Sequence, residues 1–337
     1  MLRKVFIIMI VFTLPIPCLA AANDSATSSP SGKMLTCEQV TNQVAPLFEK
    51  DDATSLNKAK EMLAGVLDRQ SDCVPALVGY ARALDALGGF SIAQADYYTA
   101  FEYLARAFVL APDNAEACWV MANMQRHIGR IDRAILLARK AVQLAPKDPW
   151  AHFIYGSVLL NSDMKAAAGE LEQAVGLKPG WAKAEFNLSA AYIGAGDYAK
   201  ALPKLEEYVK FDPTDVKGFT NLGMVYIKLG KINEAEESYR KALEIDPRFG
   251  LALKGLGDVA AAKKDFLKAI EQYKLALVSM STDPSMLALL GETQVKAGFI
   301  EDAISTYKKA LEQDPKNQQL IKILTDLEAR QANHKKP

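Results

Sequence analysis

The sequence predicts an all-α fold in which helical hairpins stack side by side into a solenoid. Apolar residues recur three or four positions apart, a spacing that places them on one face of a helix. Turns containing glycine separate these runs, and prolines return at an interval of about 34 residues. The prolines of this series are Pro112, Pro146, Pro179, Pro213, Pro247 and Pro315.

The repeated unit is clearest in residues 216–247. A first run of apolar and small residues is followed by a turn at Gly230 and by a second run with the same spacing. Asp246 and Pro247 then end the second helix, because a proline disfavours helical geometry in the residue before it. The residues that define the two runs are Phe219, Leu222, Gly223, Tyr226, Ala235, Tyr239 and Ala242.

Small residues explain how such a unit packs. Gly223 and Ala242 lack bulk, so two helix backbones approach closely, while Tyr226 and Tyr239 fill the gaps beside them. One hairpin alone cannot bury its apolar face, whereas stacked copies bury a continuous core.

These residues and their period of 34 resemble the tetratricopeptide repeat family. The resemblance implies a right-handed superhelical solenoid of about eight helical hairpins plus a C-terminal capping helix. The period sets the expected boundaries as follows: an atypical N-terminal hairpin at 35–73, a repeat-like unit with an insertion at 74–114, repeats at 115–148, 149–181, 182–215, 216–249, 250–283 and 284–317, a capping helix at 318–332, and a frayed tail at 333–337.

The insertion falls in the second unit, around residues 88–98. The alanine of its second helix, Ala100, comes about seven residues later than the period predicts. Seven residues are two helical turns, so either the two helices are each longer by a turn or a loop protrudes.

The N-terminus reads as a targeting segment. Arg3 and Lys4 precede an apolar run at residues 5–14, and small alanines follow at residues 20–22, which is typical of a secretory signal peptide at 1–22. An uncleaved anchor and a lipid attached at Cys18 are the alternatives. Residues 23–33 lack large apolar side chains, and residues 23–34 are expected to be a disordered leader. The sequence therefore predicts an exported protein, periplasmic in the first instance, with secretion or a membrane tether as alternatives.

Three cysteines follow the predicted signal peptide. Cys37 opens the first predicted helix and Cys73 follows the second, so in an antiparallel hairpin the two lie close together, and we expect them to form a disulfide. Cys118 occupies a core position, where it is expected to act as a small buried hydrophobe.

Residues that could carry chemistry give no enzyme pattern. The sequence has 40 basic and 40 acidic residues, which gives no charge signal for nucleic acid. His127, His152 and His334 lack the spacing of metal ligands, and Gly194 and Gly196 lie in a predicted turn between helices. The sequence therefore predicts neither catalysis nor a metal, cofactor or small-molecule substrate.

A binding groove follows from the resemblance, because the first helices of successive repeats line a concave surface in that family. Their exposed positions, transferred to this sequence, combine aromatic and polar side chains, although some of these aromatics could instead pack between helices. The predicted groove residues are Trp119, Asn123, Arg126, Trp150, Phe153, Lys183, Phe186, Asn187 and Asn221. The residues with which some members grip a terminal carboxylate are not reproduced, since Phe186 and Ala190 stand in their place.

The expected function is that of an exported scaffold or adaptor. Its partner would be a protein or peptide segment of another envelope protein, bound in the groove during envelope assembly, secretion or polymer export. A structural spacer that self-associates and a chaperone-like holder of client segments are the alternative hypotheses.

Overall fold

A computed structural model describes residues 36–50, 52–88, 94–280 and 283–334. The predicted signal peptide, the leader and the last three residues of the tail lie outside these ranges. Within them the chain forms seventeen helices and no strand. The helices are α1 Cys37–Lys50, α2 Ala53–Leu67, α3 Val74–Gly88, α4 Gln94–Leu110, α5 Ala115–His127, α6 Ile131–Leu144, α7 Pro149–Leu159, α8 Met164–Leu177, α9 Ala182–Ala195, α10 Tyr198–Phe211, α11 Val216–Lys228, α12 Ile232–Ile245, α13 Gly250–Ala262, α14 Phe266–Met280, α15 Pro284–Lys296, α16 Ile300–Gln313 and α17 Gln318–His334.

Each helix packs against the next one along the chain, so α1 to α16 form eight successive hairpins. Several odd-numbered helices also contact the next odd-numbered helix: α1 contacts α3, α3 contacts α5, α5 contacts α7, and α11 contacts α13. The odd helices therefore make one closely packed layer and the even helices the other. The predicted all-α solenoid is confirmed.

Glycine and tyrosine form the joints between helices. The ring of Tyr239 lies so close to Gly223 and Gly255 that a Cβ atom on either glycine would come within 2.8 or 2.3 Å of a ring carbon. Tyr273 fills the same space against Gly257, at 2.3 Å. Real Cβ atoms do not approach carbon so closely, so only glycine fits at these three positions.

Aspartates at the starts of several first helices fix where those helices begin. The side chains of Asp148, Asp215 and Asp283 each accept a hydrogen bond from a backbone N–H in the first turn. Such a cap satisfies an amide that has no partner within the helix. At the turn between the two helices of a hairpin, Gly230 adopts a positive φ of 75°, a conformation that glycine adopts without strain.

The second hairpin is longer than its neighbours. Its helices α3 and α4 have 15 and 17 residues, compared with 13 and 14 for α5 and α6. Most of the extra residues therefore lengthen the helices. Residues 89–93, between α3 and α4, lie outside the described part of the chain.

The first hairpin carries a disulfide, whereas the last hairpin is covered by an additional helix. At the N-terminal end, Cys37 and Cys73 form a disulfide with their Cα atoms 5.6 Å apart. At the C-terminal end, α17 packs against α16 and buries Leu320 and Leu327. Cys118, which lies in the core, is a buried free thiol. None of the helices in the described ranges combines the length and the apolar character that crossing a membrane requires.

A matched pair of glycine substitutions tests the joints. In Gly257→Ala the added methyl overpacks against the buried Tyr273 ring, which we expect to cost ~3 kcal/mol and to exceed a gain in helix propensity of ~1 kcal/mol. Gly169 also lies inside a helix but has open space around it, so Gly169→Ala should raise stability by ~0.5–1 kcal/mol. Urea unfolding followed by circular dichroism measures both. Equal midpoints for the two variants would contradict this account of the joints.

Candidate functional site

A cavity of about 330 Å³ lies on the odd-helix layer of the first five hairpins. One wall comes from the first hairpin, and the rest comes from α3, α5, α7 and α9. The lining residues are Phe48, Leu56, Arg82, Asp85, Ala86, Trp119, Asn123, Arg126, His127, Trp150, Phe153, Ile154, Ser157, Lys183 and Asn187.

Seven of the nine predicted groove residues line this cavity: Trp119, Asn123, Arg126, Trp150, Phe153, Lys183 and Asn187. Phe186 does not, because its ring packs against Tyr208 with the centroids 4.5 Å apart. Asn221 lies on α11, one repeat beyond the cavity, and is partly buried. The structure thus brings together the predicted residues of the third, fourth and fifth hairpins, apart from Phe186.

The chain's three tryptophans form one cluster with Phe153. The rings of Trp119 and Trp150 stack with centroids 5.6 Å apart, and Trp181 lies 4.5 Å from Trp150 and 4.6 Å from Phe153. The indole N–H of Trp119 donates to Asp148 across 3.1 Å. Trp119 and Phe153 were expected to be exposed, but their exposed fractions are only 4% and 5%. They form the floor of the cavity, while Trp150 remains half-buried.

Arg82 lies against the same cluster. Its guanidinium carbon is 4.1 Å from the centroid of the Phe48 ring, 4.4 Å from that of Trp150 and 4.9 Å from that of Trp119. It also forms an ion pair with Glu116 at 3.1 Å. A guanidinium stacks well on aromatic faces because it is planar and weakly hydrated. Arg82 thereby connects the first hairpin to the tryptophans.

A second group in the cavity is polar and buried. Asp85 is 5% exposed and lies 3.0 Å from Nδ1 of His127. Its other carboxylate oxygen accepts from the Asn123 amide at 2.6 Å, and the Asn123 oxygen accepts from Arg126 at 2.8 and 3.1 Å. Arg126 also lies 2.8 Å from Nε2 of His127.

These contacts assign the state of the imidazole. A guanidinium has no acceptor, so Nε2 of His127 must accept from Arg126 while Nδ1–H donates to Asp85. His127 lies between the two charged groups and links them. Burial lowers the pKa of Arg126, an effect that the nearby Asp85 carboxylate partly opposes.

Phe48, Arg82, Asp85 and Trp181 belong to this site but were not predicted. Phe48 lies in the atypical first hairpin, and Trp181 precedes α9 at a linker position, so neither falls on a repeat position expected to face the groove. Arg82 and Asp85 lie three residues apart on α3 and hence on one helix face, which is the one signal that could have suggested them.

The rim of the cavity can supply hydrogen bonds and charge. Lys183 is exposed, and the Asn187 amide donates to Ser157 at 2.9 Å. In the described ranges no three His, Cys, Asp or Glu side chains are grouped so that they could hold a metal ion. The arrangement can bury an apolar side chain against rings and contact a polar backbone at the edge.

Three family models, each described as a tetratricopeptide repeat, match the chain. One matches residues 80–149 and 154–216, another residues 216–249, and the third residues 248–274 and 284–317. The chain belongs to the tetratricopeptide repeat family. Searching the curated proteins with this repeat chain returned no match.

Several solved structures share the repeat fold. The Cut9–Hcn1 hetero-tetramer of APC/C has a TM-score of 0.62 at 13% identity, and the match covers 86% of this chain but only 55% of that one. PilF of Pseudomonas aeruginosa has a TM-score of 0.53 at 19% identity, over 63% of this chain and 97% of that one. YrrB, a TPR protein with an unusual peptide-binding site, has a TM-score of 0.48 at 22% identity. The match covers 55% of this chain and 95% of that one. At these identities the likeness to Cut9–Hcn1 and to PilF shows the fold alone.

Removal of Asp85 should destabilise the repeat array. In Asp85→Ala, Asn123 and His127 lose a buried acceptor, which we expect to cost ~2–3 kcal/mol. Asp113→Ala is the control, because Asp113 is exposed and its pair with Lys140 should contribute at most ~0.5 kcal/mol. Chemical unfolding compares the two variants with the parent protein. A loss no larger for Asp85→Ala than for Asp113→Ala would show that the buried network adds no stability.

Proposed function

We propose that this tetratricopeptide repeat protein is an exported adaptor that holds a segment of a partner protein in the cavity of its odd-helix layer. The observation that carries this proposal is the position of Trp150. Its half-buried ring lies between the aromatic floor and the polar rim of Lys183 and Asn187. An apolar side chain of the partner, packed against that ring, would be buried from solvent. The partner's backbone would then lie close enough to hydrogen-bond the polar rim.

The chemistry of the cavity favours a protein partner. Aromatic and arginine side chains dominate the energetics of protein interfaces, particularly where surrounding residues exclude water. Trp119 and Phe153 are already packed in place, so little of their side-chain entropy would be lost when a partner binds. The mutually satisfied network of Asp85, Asn123 and Arg126 gives the wall a fixed shape.

The proposed compartment rests on two features at the N-terminal end of the chain. Residues 1–22 have the basic, apolar and small-residue order of a signal peptide. The disulfide between Cys37 and Cys73 suits an oxidising compartment, since cytosolic thiols are kept reduced. An envelope protein of a bacterial periplasm is therefore the proposed class of partner, with assembly, secretion or polymer export as the setting.

Equivalent residues in neighbouring repeats provide a test of the groove. Lys183 and Asn187 line the cavity, whereas Lys217 and Asn221 occupy the same positions one repeat later and do not. Tagged Lys183→Glu and Asn187→Ala proteins should recover less of the partner from envelope extract than the parent protein, as measured by quantitative mass spectrometry. Lys217→Glu and Asn221→Ala should recover as much as the parent. Equal recovery by all four variants would refute binding in this cavity.

Export has its own test. A fusion of the whole chain to alkaline phosphatase, an enzyme that becomes active only where its disulfides form, should be active in cells. The same fusion lacking residues 1–22 should be inactive. Activity that does not depend on residues 1–22 would exclude them as the export signal.

A further inference from the structure

The end of α1 lies on the groove. Phe48, near the C-terminal end of this helix, is 5% exposed and contacts the Arg82 guanidinium that stacks on Trp150. The next residue, Glu49, forms an ion pair with Lys178 at the end of α8. These two partners are 129 positions apart in the sequence, so the pair joins the first hairpin directly to the fourth.

Lys178 belongs to the tryptophan cluster as well. Its ammonium nitrogen lies 4.8 Å from the ring centroid of Trp181 and 5.8 Å from that of Trp150. The ion pair with Glu49 therefore places the end of α1 next to the ring that we propose as the anchor for a partner. Phe48 lines this part of the groove, and Glu49 lies beside it in its ion pair with Lys178.

The two ends of α1 are held by different means. Its first residue, Cys37, is bonded to Cys73, whereas its last turn is held by the packing of Leu47 and Phe48 and by a partly exposed ion pair. Pro46 lies inside α1 just before that turn. A proline inside a helix removes one backbone hydrogen bond, so the last turn of α1 has one bond fewer to the rest of the helix.

We propose that the last turn of α1 is a cover over the tryptophan cluster, latched by Glu49 and Lys178, and that it must move aside before a partner segment reaches Trp150. The disulfide keeps the start of α1 in place while the cover opens. This proposal deepens the proposed function and rests on it, since the cover regulates the same cavity. The latch is partly exposed, so salt should weaken it.

The tryptophans allow the cover to be tested without a partner. All three lie in the cluster, so the intrinsic fluorescence of the whole chain reports on this site. Acrylamide, a neutral quencher, measures their access to solvent. In Glu49→Lys the latch becomes a repulsion, and we expect the open fraction to rise by roughly twofold to fivefold. The quenching constant should increase, and the emission maximum should shift to the red.

A charge exchange and a distant variant are the controls. Glu49→Lys combined with Lys178→Glu restores opposite charges and should return the quenching constant toward that of the parent protein. Glu328→Lys breaks a comparable pair with Lys308 between α16 and α17, far from the tryptophans, and should leave the fluorescence unchanged. The parent protein should be quenched more strongly at high salt than at low salt.

The proposal of a cover is contradicted if Glu49→Lys and the parent protein have the same quenching constant. It is also contradicted if the charge exchange fails to restore the quenching constant of the parent protein. No partner takes part in these measurements, so their failure would leave binding in the cavity standing. Conversely, a positive result would stand even if Lys183→Glu and Asn187→Ala recovered as much partner as the parent protein.

Discussion

The fold depends on close contact between a tyrosine ring and glycine backbone. Tyr239 faces Gly223 of its own hairpin and Gly255 of the next, so one ring sets the separation of three helices. A Cβ atom at either glycine would push these helices apart and change the angle between successive hairpins. Because each hairpin packs mainly against its neighbours, the shape of the whole concave layer is largely the sum of such local joints.

This dependence explains why the fold could be predicted from the sequence. Small and aromatic residues at fixed spacing act within one hairpin and the next, so the period alone indicates helices, turns and stacking. The burial of Trp119 and Phe153 could not be predicted in the same way. It arises from Trp150 and Trp181, which come from the following hairpin and from a linker. Likewise the contact of Asp85 with His127 joins residues 42 positions apart, from different units.

One departure from the repeat pattern explains where the aromatic part of the groove ends. The fifth hairpin has Tyr208 at the position where its neighbours have the buried alanines Ala174 and Ala242. Phe186 packs against the Tyr208 ring and does not line the cavity. Gly218 in the next hairpin leaves room for the Tyr208 ring. Phe186 was therefore predicted wrongly as a groove residue, because the prediction used first-helix positions only and Tyr208 lies on the second helix.

Among the described residues, the first hairpin has a neighbouring hairpin on one side only. Its disulfide closes a loop of 36 positions, which stabilises the native state by about 3–4 kcal/mol, chiefly by restricting the unfolded chain. This covalent bond holds the start of α1 independently of the contacts at the end of that helix. The contacts of Phe48 and Glu49 can then be weak without loss of the fold. The proposed movement is therefore confined to the last turn of α1, while the disulfide keeps the start of the helix in place.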